Sequence, residues 1–451
     1  MKLLTKIALA VLCVSSSSYG AEFTYTESDS SGNNVALGFT VPLPVESLTP
    51  VDGFRSYNSL DLRHQQLAEM SPYISRIQIG TTYNDRPIWA YQFSDDDDLT
   101  SLGEIEGSAL INGGIHAREW QTPEALTGYM ERFFEHQNDQ HTYQYVLDNL
   151  NLVLIPVLNI DGFMQTQRFA TKVTNTVEQP RDGRMRRKNM RDVDESLATL
   201  SDNLGGIDLN RNNNPYWATN PNRSSDDFDS IVHHGASGGS EPETMALQQA
   251  AVVAGEEELR FYTDTHSFTQ VYFAPMTGNN ARDVLTGRWA AIMRSVNGFK
   301  YRYSPSSAGG GIGATDEYFA NTYQIPSYTL EIEPANSAQD YGGVGVSHDG
   351  FILPNSEVAR MREETADAAI AGLYTAASVP FLVEMNIRDK ETGEMVIQQR
   401  WQQISDNERE LTTLIANELL AQTSYQLTLV FNKPMRALEG DTVVDYATLS
   451  E

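Results

Sequence analysis

The chain has 451 residues, more than one hydrophobic core usually carries, so at least two structural units are expected. Hydrophobic residues make up 40% and aromatics 10%, which excludes a largely disordered or collagen-like chain. Against 60 Asp and Glu stand 32 Lys and Arg; the net charge of −28 repels phosphate backbones and argues against any nucleic-acid partner.

In chain order, Lys2 and Lys6, an apolar run over 7–14 and the small residues Ser18 and Gly20 read as a signal peptide over residues 1–20. The run falls short of the roughly 20 residues that span a bilayer. No stable membrane insertion is expected, and the mature protein would be secreted, to an extracellular or periplasmic space. The single cysteine, Cys13, lies inside the run, so an intrachain disulfide is excluded. Residues 21–49 are polar, a tail or short pro-segment.

Over 50–376, strand-like stretches at Ile88–Phe93, Ser108–Asn112, Leu150–Leu158, Leu259–Thr265 and Ser327–Glu333 alternate with helical ones such as Pro123–Glu135. That alternation predicts an α/β fold with helices on both faces of the sheet. Asp95 to Asp98 read as a solvated loop. After Ala377 the pattern turns β-like, at Phe381–Arg388, Met395–Gln403, Tyr425–Phe431 and Val443–Thr448. Residues 377–451 are therefore expected to form a small β-sandwich-like domain. Nothing in the residues sets an oligomeric state, and a monomer is the default.

The densest chemical signal is Asn112-Gly113-Gly114-Ile115-His116-Ala117-Arg118-Glu119-Trp120, between a strand and a helix. His116 and Glu119 can turn toward one point, and zinc accepts imidazole nitrogen and carboxylate oxygen. By itself a His-x-x-Glu pair is as easily a surface histidine and a helix-start glutamate. His266, at the end of the strand holding Tyr262-Thr263-Asp264-Thr265-His266, offers a third ligand, or else is a hydrogen-bonded core histidine. Catalytic zinc takes three protein ligands and keeps the fourth position for water. His233-His234 is a poorer pair, since adjacent residues on an extended segment diverge.

With these motifs the chain resembles the zinc carboxypeptidases of the carboxypeptidase A type, the M14 metallopeptidases. The resemblance rests on Gly113 to Trp120, Gly206 to Asn212, Ser240 to Thr244, Asp264 to Ser267 and Ser327 to Glu331, five stretches in the family's order. It implies a mixed, mostly parallel eight-stranded sheet with helices on both faces and one Zn²⁺ held by His116, Glu119 and His266. It further implies Glu331 as the catalytic carboxylate, although Glu333 lies on the same strand face by alternation. Arg187 would stabilise the oxyanion, Arg118, Asn210 and Arg211 would bind the substrate, and Asp208 would fix the His116 tautomer. Within the basic run Arg184 to Lys188, Arg184 and Arg186 are expected to be exposed.

The sequence departs from the family where a tyrosine closes over the substrate: counting back from Asp316 lands near Ala308, and Tyr303 is the tyrosine that could reach in. Thr315 falls at the floor of the specificity pocket and Thr329 on its wall, which favours an apolar or aromatic C-terminal residue. A shift of one residue would put Asp316 at the floor and favour Lys or Arg. The expected activity is release of single C-terminal residues from peptides or proteins. A murein-type or other amidohydrolase and a catalytically inactive binding protein are the alternatives.

Overall fold

The computed structural model describes residues 51–444 apart from 52, 96, 101–104, 140–141, 168–184, 194–204, 308–309, 337–340, 342–349, 352, 378–381, 406–407, 421–422, 432–436 and 440–441. The expected signal peptide, the polar tail, Arg184 and Ala308 lie outside the described residues. One mixed sheet runs β1 (Ile74–Thr81), β2 (Pro87–Phe93), β4 (Leu150–Ile155), β3 (Gly107–Gly113), β5 (Leu259–Ser267), β8 (Ser327–Ile332), β6 (Val271–Phe273), β7 (Arg302–Ser304). The central strands β4, β3, β5 and β8 are parallel. On one side β1, β2 and β4 pair antiparallel; on the other β6 is antiparallel to β8 and parallel to β7.

Parallel strands need cover on both faces, and β3 is buried at every position. The helices in chain order are α1 (Tyr57–Met70), α2 (Gln121–His136), α3 (Thr142–Leu147), α4 (Ile160–Thr166), α5 (Pro242–Ala254), α6 (Asn280–Val296), α7 (Thr315–Tyr323) and α8 (Asn355–Ala377). Helices α2, α6 and α8 pack on one another over one face, while α5 and α7 cover the other. Helix α2 buries Leu126, Met130 and Phe133, an i, i+4, i+7 stripe. The ring of Phe133 meets Phe93 of β2 at 5.3 Å between centroids. Across the sheet, Gly80 of β1 leaves room for Ala246 of α5, because a Cβ there would stand 2.8 Å from the alanine methyl.

Beyond α8, β9 (Leu382–Asp389), β10 (Met395–Ser405), β11 (Glu408–Ile415) and β12 (Tyr425–Phe431) make an antiparallel sheet in the order β11-β10-β9-β12. The β-structure described after β12 is a separate two-stranded pair, β13 (Ala437–Glu439) and β14 (Thr442–Val444), whose strands pair with each other. No helix among the described residues is long and apolar enough to cross a membrane.

Candidate metal and catalytic site

The site begins where β3 stops. Gly114 takes φ +66°, left-handed backbone that disfavours any side chain, and a Cβ there would also stand 3.2 Å from Val157 Cα. This turn sends the chain back over the carboxyl end of the sheet, where ligand sites of α/β folds gather. The Ala117 N–H donates to the Arg187 carbonyl, and the Glu119 N–H to that of His116. His116 and Glu119 are thereby fixed on one short loop, both buried.

His266 arrives from β5. Its Nδ1 lies 3.1 Å from His116 Nδ1 and 3.1 Å from a Glu119 oxygen, while the other Glu119 oxygen is 2.8 Å from His116 Nδ1. The far nitrogens are each assigned to a carboxylate: His116 Nε2 to Asp208 at 3.2 Å and His266 Nε2 to Asp264 at 2.8 Å. A neutral imidazole carries one proton, and a carboxylate on one nitrogen holds it there. With both imidazoles neutral, the two Nδ1 lone pairs and the Glu119 oxygens converge on one point, a donor set that fits a cation.

Without a cation, the same carboxylates favour a proton on His266. Around His266 the depressing effect of burial is outweighed by Asp264 and Glu119, which raise it well above the usual imidazole range. At Glu119, burial alone would raise the carboxyl, but His116 and His266 draw it below its usual range. Two nitrogens and a carboxylate suit Zn²⁺, whose ligands lie about 2.0–2.2 Å from the ion. His116, Glu119 and His266 form the one trio among the described residues whose ligand atoms all lie within 4.8 Å of one another. His233 and His234 are turned elsewhere, toward the Ser225 carbonyl and the Ser224 hydroxyl.

The role of Asp264 escaped the sequence reading. It accepts His266 Nε2–H and the Thr315 hydroxyl on one oxygen and the Asn112 amide on the other. The available signal was its position two residues before His266, which puts both on one strand face.

Glu331 and Glu333 separate completely. Glu331 sits on β8 opposite His266, its Oε2 sealed from solvent and without a hydrogen-bond partner. Burial raises its carboxyl to about 8, with His266 and Arg187 pulling down and Glu119 and Asp264 pushing up. Strand β8 ends at Ile332, so alternation no longer governs Glu333. Its carboxylate instead pairs with both Arg360 Nη2 contacts (2.7 and 2.8 Å), Lys300 (3.4 Å) and the Tyr341 hydroxyl (3.1 Å).

The arginines gather about Asp208. Arg187 Nε donates to Asp208 at 2.9 Å, and Arg211 Nη1 stands 3.8 Å from the same oxygen. Arg211 is oriented by two backbone carbonyls, those of Arg223 (2.8 Å) and Asn210 (2.7 Å). The Asn210 amide Nδ2 lies 3.4 Å from His266 Nε2. Arg118 stacks on Phe351 with its guanidinium carbon 4.1 Å from the ring centre. Arg186 is buried, contrary to expectation: its Nη2 donates to the carbonyls of Asn189 and Gly205, which shapes the turn leading into Asp208.

Thr315 and Thr329 both come to this face of the sheet. The Thr315 hydroxyl is spent on Asp264, so it backs His266 instead of presenting a free floor. Tyr303 is not brought to the site. It pairs with Tyr272, which pairs with Leu330, and residues paired across strands share a face. Leu330 and Glu331 are neighbours and point oppositely, so Tyr303 lies on the far face, with its hydroxyl against Gly287 of α6.

The signature of the zinc carboxypeptidases matches residues 63–368. Carboxypeptidase O of Bos taurus is 25% identical over 341 residues, covering 70% of this chain and 79% of its own. Carboxypeptidase B of Homo sapiens is 25% identical over 327 residues, 69% of this chain and 68% of its own. Among solved structures, thrombin activatable fibrinolysis inhibitor superposes with a TM-score of 0.57 at 21% identity, covering 72% of this chain and 74% of that one. Carboxypeptidase A from Helicoverpa armigera superposes with a TM-score of 0.54 at 21% identity, covering 73% and 75%. With the family signature spanning most of the chain and the expected sheet in place, the protein belongs to the zinc carboxypeptidase family of M14 metallopeptidases.

Proposed function

We propose that the protein is an exported, zinc-dependent carboxypeptidase that removes single residues from the C-termini of peptides and proteins. The observation that carries this reading is the convergence of two imidazole lone pairs and the Glu119 carboxylate beside the partnerless Glu331 oxygen. When bound there, zinc would lower the pKa of a coordinated water toward about 7 and polarise the scissile carbonyl.

The chain's own residues do the rest. Glu331 takes the proton of the attacking water and returns it to the departing amine, a task suited to a carboxyl raised toward neutrality. Arg187, held against Asp208, offers its guanidinium to the developing oxyanion. Asn210 and Arg211 hold the substrate's terminal carboxylate, and a guanidinium fork suits that planar anion. Arg118, its guanidinium carbon over the Phe351 ring, assists on the substrate side. Asp208 and Asp264 keep the two histidines in the tautomer that binds metal.

In this reading residues 1–20 direct export, 21–49 are a tail or short pro-segment, 50–376 form the catalytic domain and 377–451 an appended β-rich domain. The test couples metal analysis to hydrolysis of blocked dipeptides. One zinc per chain is expected, with Glu331→Gln keeping the metal and losing turnover by about 10²–10⁴-fold. Near-normal turnover in that variant would place the base elsewhere. Cleavage of muropeptides in preference to blocked dipeptides would favour the amidohydrolase reading.

A further inference from the structure

Arg187 and Arg211 rise from stretches that no sheet ladder fixes. Residues 185–193 belong to no strand or α-helix, and Arg211 ends a single 3₁₀ turn, Leu209–Arg211. Beside each stands a buried asparagine: Asn189, two residues after Arg187, and Asn212, directly after Arg211. Both reach Glu241. The Asn189 amide donates to Glu241 Oε2 at 2.8 Å, and the Glu241 N–H donates to Asn212 Oδ1 at 3.2 Å. Arg191 Nε strengthens the first link by donating to both Glu241 oxygens, at 2.8 and 2.6 Å.

The start of α5 places Glu241 for this. It directly precedes Pro242, the first residue of the helix, where an oxygen-bearing side chain often caps its own helix. Glu241 makes no such bond and spends its carboxylate on Asn189 and Arg191 instead. Its side chain is buried, so these charge-assisted bonds are shielded from water. The second link is doubled as well: Asn212 Nδ2 donates to the Ser240 hydroxyl at 2.9 Å, which donates to Glu241 Oε1 at 2.8 Å. Asp208 also lies between the two arginines, but it holds their guanidinium groups, Arg187 Nε at 2.9 Å and Arg211 Nη1 at 3.8 Å. Glu241 holds the backbones from which those side chains extend.

The spacing matters for a substrate held at both ends of its last residue. Three bonds of fixed length separate the scissile carbonyl carbon from the terminal carboxylate carbon, so the groups that meet them must keep one separation. We propose that Glu241 is a positioning residue that sets this separation, holding Arg187 at the carbonyl and Asn210 with Arg211 at the carboxylate. The inference rests on the carboxypeptidase reading above. Loss of the Glu241 carboxylate leaves each stretch a separate anchor: Asn189 Oδ1 still accepts the Ile207 N–H, and Asn212 Nδ2 still donates to the His234 and Ser237 carbonyls. The two arginines then persist, and the distance between them relaxes.

The test measures kcat/KM of the zinc-loaded wild type and Glu241→Ala on blocked dipeptides ending in phenylalanine and in β-homophenylalanine. The extra methylene of the second lengthens the path to the carboxylate by one bond of ~1.5 Å. Glu241→Ala is expected to lose about 100-fold on the first substrate and only about tenfold or less on the second. A purely structural role would lower both alike. Equal losses, or no loss, overturn the inference while leaving the carboxypeptidase reading intact. A second arm needs no turnover: calorimetric titration of both proteins with N-acetyl-phenylalanine and its β-homo analogue. A wild-type preference for the first that shrinks in Glu241→Ala supports the positioning role even if no peptide is cleaved, in which case the proposed activity alone fails. An unchanged preference, or none in the wild type, overturns the inference. Should Glu241→Ala fail to fold, Glu241→Gln, which sets an N–H donor against Arg191 Nε, is judged by the same two ratios.

Discussion

The ligand trio and the C-terminal sheet solve the same problem, holding side chains in place, by opposite means. His116, Glu119 and His266 are buried, and each is fixed by a further carboxylate or backbone contact. In the C-terminal sheet the ladder Ile415–Ile397–Ile387–Leu427 and its neighbour Thr413–Gln399–Met385–Leu429 lie on one face. There Ile415 is 67% exposed and Leu427 56%. Main-chain pairing and a few polar cross-strand contacts, such as Gln398 to Asn386 and Gln399 to Thr413, keep that sheet in register, whereas cover on both faces packs the side chains of the larger sheet closely. Precision for chemistry belongs to the first region.

The comparison can be broken most decisively at the trio. Chelation is expected to abolish hydrolysis and added Zn²⁺ to restore it, followed by metal analysis and rate; activity that survives complete metal loss would separate the trio from the chemistry. One layer outward, Asp208→Asn or Asp264→Asn is expected to weaken zinc binding or activity by about 10–100-fold, read by competition with a chromophoric chelator. Wild-type affinity in both would mean the histidines are oriented by packing alone.

Stability tests sharpen the contrast. Leu154→Ala in β4, where the side chain is fully buried, is expected to cost about 2–5 kcal/mol in denaturant unfolding. Glu106 is buried at the entrance to β3, with neither carboxyl oxygen hydrogen-bonded. Burial, with the charges of Asp95, Asp97, Asp98 and Asp148 adding to it, raises its carboxyl to about 8. The folded protein then holds this proton more tightly than the unfolded chain does. Its contribution to stability is complete below about pH 4.5 and is lost as pH rises toward 8. Glu106→Gln should therefore flatten the fall in melting temperature between pH 5 and pH 8.5; an undiminished fall would assign it to other groups. The smallest effect is expected at Leu427→Ser on the exposed sheet face, within about 0.5 kcal/mol. A loss comparable to that of Leu154→Ala would reveal that this face is covered after all.

Much of this was legible in the chain itself. The five motifs and the alternation of strand and helix announced the α/β domain, and Ser327–Glu333 and Leu259–Thr265 were read to within two residues of β8 and β5. The short strands β6 and β7 were not legible, because three residues show no period. Tyr303 was chosen for its chemistry and nearness in sequence, but cross-strand register puts it on the wrong face. Arg186 read as a solvated cation because composition cannot show that two carbonyls wait for it in the interior.

Residue type and spacing determined which groups could do chemistry: two imidazoles and a carboxylate for a metal, a glutamate for protons, guanidinium groups for anions. Those are covalent properties that each side chain carries wherever it goes. Tertiary structure decided which of them keep their reactivity. It joined Glu333 to Arg360, left an oxygen of Glu331 without a partner, saturated Glu317 with backbone donors and left Asp316 with one. Partner choice and desolvation depend on which atoms meet in space, whether the partners are close in the chain or on distant strands, and residue type alone holds no record of such meetings.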